Sequence, residues 1–158
     1  MTSAITREVL ARLAIRGETL ATAESLTGGL IGSLITEVPG ASAHYLGGVI
    51  TYATRLKATL AGVPEAVLRE HGPVAGDTAR AMARGIAAGC DADWGLAVTG
   101  VAGPESQNGH PVGEVHIAVA CRATGQVTTR RFDLVGDRGT IRSRTAHAAL
   151  QLLADALS

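Results

Sequence analysis

Apolar side chains recur at helical spacing from the first residues of the chain. Ile5, Val9, Leu10, Leu13 and Ile15 are set among Arg7, Arg12 and Arg16, and Gly17 follows as a stop, which predicts an amphipathic helix over Ala4–Arg16. Thr19–Ala23 is a short β-forming run ending at Glu24-Ser25, and Leu26-Thr27-Gly28-Gly29 then leads into the apolar, helix-compatible stretch Leu30–Val38. Ser25 is thereby placed at a strand-to-helix turn. His44–Tyr52 has the β-branched and aromatic content of a strand, and Thr54–Ala61 reads as a short helical turn ended by Gly62-Val63-Pro64. Asp77–Cys90 is Ala-rich with Ala79, Met82, Ala83, Ile86 and Ala87 along one side, a helix, and Trp94–Thr99 reads as a buried strand. Val112–Arg122 and Gln126–Val135 form two strands about Ala123-Thr124-Gly125, a hairpin, and Arg138–Leu157 closes the chain as a helix.

Alternation of this kind predicts an α/β fold: three α/β/α layers with a mixed, largely parallel sheet and sites at the loops beyond the strand ends. No linker, repeat or low-complexity segment divides the chain, and 158 residues fit one domain, so residues 1–158 are read as a single unit.

Composition narrows the function. Fourteen basic and fourteen acidic side chains cancel, so the strong basic field that draws a protein to nucleic acid or anionic lipid is lacking. Cys90 and Cys121 are too few for a disulfide framework and no Cys/His cluster points to a metal, so both are expected as small buried hydrophobes. Met1–Gly17 carries interleaved arginines unlike a secretory signal, and no apolar run reaches membrane-spanning length; a soluble, cytoplasmic protein is expected. Aromatic residues are 3% of the chain, which leaves few stacking platforms and favours a polar or phosphorylated small substrate over single-stranded nucleic acid.

Thirteen of the fourteen basic side chains are arginine, and Lys57 is the only lysine. Arginine keeps its proton in a protein, whereas a desolvated lysine can shift low enough to act as a base. Tyr52 lies five residues before it across a strand-to-helix junction, so the phenol and the amine can enter one cleft. Ser25 at its glycine-rich turn has the exposed hydroxyl of a nucleophile with free N–H groups nearby, although position alone favours a helix N-cap serine. Thr27 divides the same way, between cap and site wall, and Gly28-Gly29 between site and close packing. Thr99-Gly100-Val101-Ala102-Gly103-Pro104 offers backbone amides to an anion but matches neither phosphate-loop nor dinucleotide fingerprint. Arg138 and Arg142, four apart at a helix start, fit a phosphate fork or a solvated face. Five scattered histidines, His44, His71, His110, His116 and His147, do not suggest a histidine-based triad or a metal site.

Thr22-Ala23-Glu24-Ser25-Leu26-Thr27-Gly28-Gly29, Gly48-Val49-Ile50-Thr51-Tyr52 with Lys57, Thr99–Pro104, Pro111-Val112-Gly113 and Gly136-Asp137-Arg138 with Ile141-Arg142 together resemble the CinA C-terminal domain family, in order over nearly the whole chain. The resemblance implies a nicotinamide-nucleotide amidohydrolase of NAD metabolism, converting nicotinamide mononucleotide to nicotinic acid mononucleotide and ammonia without metal or organic cofactor. It implies that Ser25 is the nucleophile, Lys57 its general base and Tyr52 their partner, with amides near Thr27 and Gly28 holding the oxyanion. It places Thr99, Gly100, Ala102, Gly103 and Arg142 against the nucleotide. Family precedent implies a homodimer or larger assembly. The chain departs from the family pattern at Thr54, at His110 and over Glu105–Gly109, which bears on substrate choice. A non-catalytic pyridine-nucleotide-binding or competence-linked module and a serine amidase for another small amide are the competing readings. The catalytic reading requires a buried Lys57 amine.

Overall fold

In the computed structural model, which describes residues 3–158, the first helix spans Ala4–Arg16 (α1) as its apolar spacing predicts. Met1 and Thr2, with which the reading of the N-terminal segment begins, lie outside the described residues. Gly17 ends α1 in the left-handed region at φ 65°, a conformation a side chain would oppose. The elements that follow are Leu20–Glu24 (β1), Leu30–Thr36 (α2), a 3-10 turn at Ala41–Ala43, Tyr45–Ile50 (β2), Thr54–Thr59 (α3), Glu65–His71 (α4), Gly76–Gly89 (α5), Trp94–Gly100 (β3), Glu114–Cys121 (β4), Val127–Asp133 (β5) and Arg138–Ala156 (α6).

The strands form one sheet in the order β2-β1-β3-β4-β5. β1 pairs in parallel with β2 and with β3, while β4 is antiparallel to both β3 and β5. The sheet is therefore mixed, with β4 alone running against the other four strands. Helix α2 carries the chain from β1 outward to β2, and α5 then returns it across β1 to β3. The strand order reverses at β1, so a crevice opens beyond the carboxyl ends of β1, β2 and β3.

Alternation along the strands divides the core into two layers. Leu20, Trp94, Leu96, Val98, Val115, Ile117 and Val119 face α1, α2 and α6, where Leu13, Ile31, Ile35, Ile141, Leu150 and Leu153 are fully buried. Ala21, Ala23, Ala97, Ala118 and Ala120 face the other way, against Ala79, Met82, Ala83 and Ile86 of α5. Small residues on both sides allow close approach. A Cβ on Gly95 would stand 2.0 Å from the Ala83 carbonyl oxygen, so β3 and α5 touch backbone to backbone.

Two expectations change. Helix α4 follows the predicted Gly62-Val63-Pro64 break; none of its side chains is fully buried, so it leaves no apolar stripe in the sequence. Cys90 and Cys121 are free but only half-buried, because each lies at an element end rather than within the core.

Candidate active site

Three strand ends build the crevice. Ser25 follows β1 directly, and the Thr51 amide donates to the Glu24 carbonyl at 2.7 Å, which ties the end of β2 to the end of β1. The chain then turns into α3 and carries Lys57 back beneath Ser25. The Lys57 amine lies 3.1 Å from Ser25 Oγ and donates to the Thr51 carbonyl at 2.8 Å. Lys57 is 2% exposed, and burial pushes its ammonium down from 10.5 to about 8. A neutral amine has two hydrogens and one lone pair. With one hydrogen held by Thr51, the lone pair is available to the Ser25 hydroxyl, which is the relation of base to nucleophile.

The turn after Ser25 is held from below. Gly28 donates its amide to the Ser25 carbonyl at 3.0 Å, closing a four-residue turn, and Gly28 itself sits at φ 58°. Glu24, 2% exposed, accepts the Thr27 hydroxyl at 2.6 Å, the Ile31 amide at 2.9 Å and the Gly32 amide at 3.0 Å. Arg142 donates from Nε to the Leu26 carbonyl and from Nη2 to the Thr27 carbonyl, each at 2.9 Å.

These contacts correct several expectations from the sequence. The N-cap of α2 is Gly29, with no side-chain cap, so neither Ser25 nor Thr27 acts as its N-cap; the carboxylate of Glu24 binds the helix's first amides instead. The Thr27 side chain is buried on Glu24 and does not wall the pocket. The Gly28 amide is closed onto Ser25 and is not free for an oxyanion, whereas the amides of Leu26 and Thr27 have no hydrogen bond to the chain among the described residues. Arg142 is engaged behind the turn and does not line the pocket, because two backbone carbonyls already occupy its fork.

The pocket that Ser25 and Lys57 share is walled by Tyr52 and Thr54 on one side and by Thr99, Gly100, Ala102 and Gly103 on the other. The Thr99 hydroxyl donates to the Pro73 carbonyl at 2.6 Å, fastening β3 to the segment before α5. Gly100 is required by close approach, since a Cβ there would meet the Glu114 carbonyl oxygen at 2.5 Å. Tyr52 stands at the mouth, 60% exposed, and its hydroxyl accepts from Arg138 at 2.8 Å; no hydrogen bond joins it to Ser25 or Lys57 among the described residues. Arg138 also donates to the Gly103 carbonyl, so one guanidinium spans the opening from wall to wall.

Sequence reading missed Glu24, and of the two arginines at the start of α6 it set Arg142, not Arg138, against the nucleotide. Glu24 stood inside a motif assigned to its serine; its signal is the one charged group in a short strand run, which burial permits only with partners. Glu105 and Gln107, from the segment that departs from the family pattern, also reach the pocket rim. Outside the pocket, His110 and His116 share the buried Glu114 at 2.9 and 2.8 Å, a cluster that sequence reading missed although the three residues lie within seven positions.

The chain matches the CinA C-terminal domain model over residues 2–157. It is 47% identical over 145 residues to a CinA-like protein of Frankia casuarinae, covering 92% of this chain and 33% of that protein. It is 45% identical to a putative competence-damage inducible protein of Geobacillus kaustophilus, covering 88% of this chain and 33% of that protein. The chain thus spans about a third of the length of the curated relatives it matches. Among solved structures, a competence-damaged protein (CinA) superfamily member from Klebsiella pneumoniae superposes with a TM-score of 0.92 at 32% identity, covering 97% of this chain and 95% of that one.

Proposed function

The chain belongs to the CinA C-terminal domain family, and from that premise we propose that it is a nicotinamide-nucleotide amidohydrolase working through Ser25 and Lys57. One observation carries the reading: the only lysine of the chain is buried, lowered toward neutrality, and 3.1 Å from the hydroxyl of a serine at a strand-to-helix turn. A binding module has no need of such a pair.

In this mechanism Lys57 takes the Ser25 proton as Oγ attacks the carboxamide carbon. The carbonyl oxygen becomes an oxyanion facing the free amides of Leu26 and Thr27. The carbon–nitrogen bond breaks, Lys57 returns the proton to the leaving nitrogen, and ammonia departs. Water then attacks the acyl-serine with Lys57 again as base, and the carboxylate product leaves with Ser25 restored. Tyr52 and Arg138, at the mouth, suit orientation of the substrate more than proton transfer, and Arg138 replaces Arg142 as the cation near the nucleotide phosphate.

The test is ammonia release from nicotinamide mononucleotide by the wild type beside folded Ser25→Ala and Lys57→Ala variants. Wild type turns over, Ser25→Ala is silent, and Lys57→Ala loses about 10²–10⁴-fold as expected for a general base. A wild type that binds the mononucleotide without releasing ammonia would establish the module instead, and turnover of other small amides alone would reassign the substrate.

A further inference from the structure

Arg142 is fixed behind the nucleophile's turn by two hydrogen bonds, to the carbonyls of the two residues that follow Ser25. Both peptides are trans, since the one cis bond among the described residues is Gly103–Pro104. A trans peptide points its C=O and N–H in opposite directions. Drawing the Leu26 carbonyl toward α6 therefore turns the Thr27 N–H away from α6. The turn from Ser25 to Gly28 is closed by its end-to-end hydrogen bond, and neither Leu26 nor Thr27 has positive φ, which makes it type I. In that conformation the two central amides lie to one side and their carbonyls to the other.

The packing agrees with this division. Ser25 and Leu26 line the pocket, whereas Arg142 does not. Gly28 covers the guanidinium, with 3.5 Å between Nη2 and the place a Cβ would occupy. Glu24 holds the same turn through the Thr27 hydroxyl, so the turn is tied both at its backbone and at a side chain. A cation on the Leu26 carbonyl also polarises that peptide and strengthens its N–H as a donor.

We propose that Arg142 is a positioning residue for the oxyanion site: its fork on the Leu26 and Thr27 carbonyls keeps the amides of that turn aimed at the charge that forms when Ser25 attacks. It rests on Ser25 being a nucleophile, as proposed above, and not on which amide is the substrate.

Two reactions test it in Arg142→Ala and Arg142→Lys. One is ammonia release from nicotinamide mononucleotide. The other is phosphonylation of Ser25 by an alkyl fluorophosphonate, in which Oγ forms the P–O bond, the P–F bond breaks, fluoride leaves and Lys57 takes the hydroxyl proton. Arg142→Ala is expected to lower kcat and the labelling rate each by about 10²-fold, the loss typical of one oxyanion donor, with KM little changed. Methylguanidinium added to this variant restores part of both rates. Arg142→Lys, one ammonium for two carbonyls, falls between, and it carries the test if Arg142→Ala does not fold. A raised KM with kcat and labelling unchanged would make Arg142 a substrate ligand and overturn the proposal. Unchanged rates in either folded variant would overturn it too. A wild type that is labelled but releases no ammonia removes the substrate reading alone, and the labelling series still decides Arg142. A wild-type Ser25 that the probe does not label overturns both.

Discussion

At the scale of single residues, the proposed mechanism depends on keeping a lysine neutral. Lys57 loses its proton at about 8 rather than 10.5, because water is excluded from the amine. Activity measured as kcat/KM should therefore rise with pH and level off above about 8, the profile of one essential base in the free enzyme. The same shift costs stability. Between pH 8 and 10.5 the unfolded chain binds a proton that the folded one has lost, so folding gains stability as pH rises through that window, and below it the full penalty remains. Relative to Lys57→Met, wild type should gain about 2–3 kcal/mol of unfolding free energy between pH 7 and pH 10, read from urea denaturation at both. An equal pH response in the two proteins would mean an ordinary lysine. The sequence exposed Lys57 by its uniqueness, but the depth of its burial follows from β2 and α3 folding back under β1.

At the scale of elements, close backbone approaches set the geometry of the crevice. β3 can lie on α5 only because position 95 lacks a side chain, and Gly95→Ala would force its Cβ into the Ala83 carbonyl. Overpacking of this kind costs about 1–3 kcal/mol, occasionally more, and should appear as a lowered thermal midpoint. A second tie joins the loop after β3 to the sheet. Burial alone would raise the Glu114 carboxyl, but hydrogen bonds from His116 and His110 and the charge of Arg131 outweigh it and hold the group below its usual range. A depressed folded value means that this stabilisation is present above the ordinary carboxyl pKa of about 4.3 and is lost as pH falls below it. Glu114→Gln should therefore flatten the acid limb of the stability curve, measured as urea midpoints from pH 7 down to pH 3. The individual elements were legible because their apolar spacing and glycine stops are local. Helix α4, without a buried face, and the Glu114 cluster, assembled from a loop and two strands, have no comparable local signal.

At the scale of the molecule, the sheet separates two unlike cores. The face toward α1, α2 and α6 is filled by branched aliphatics, and the face toward α5 by alanine. Neighbouring residues of β3 should answer oppositely: Leu96→Ala leaves a cavity and costs about 2–5 kcal/mol, whereas at position 97 it is Ala97→Leu that destabilises, by overpacking of about 1–3 kcal/mol. Equilibrium denaturation of both variants checks this, and tolerance of Ala97→Leu would mean that the α5 layer is loosely packed. By itself the sequence determined the order of the main elements, the α/β class and the nominees Ser25, Tyr52 and Lys57, because periodicity, turn residues and a solitary lysine are written along the chain. Only the tertiary structure decided which groups meet: Lys57 with Ser25, Tyr52 with Arg138, and Arg142 with the carbonyls behind the turn. Those pairings join residues 32, 86 and over 100 positions apart. Local spacing carries no information about them, since the sheet order and the two close-packed layers determine which strand and helix ends converge.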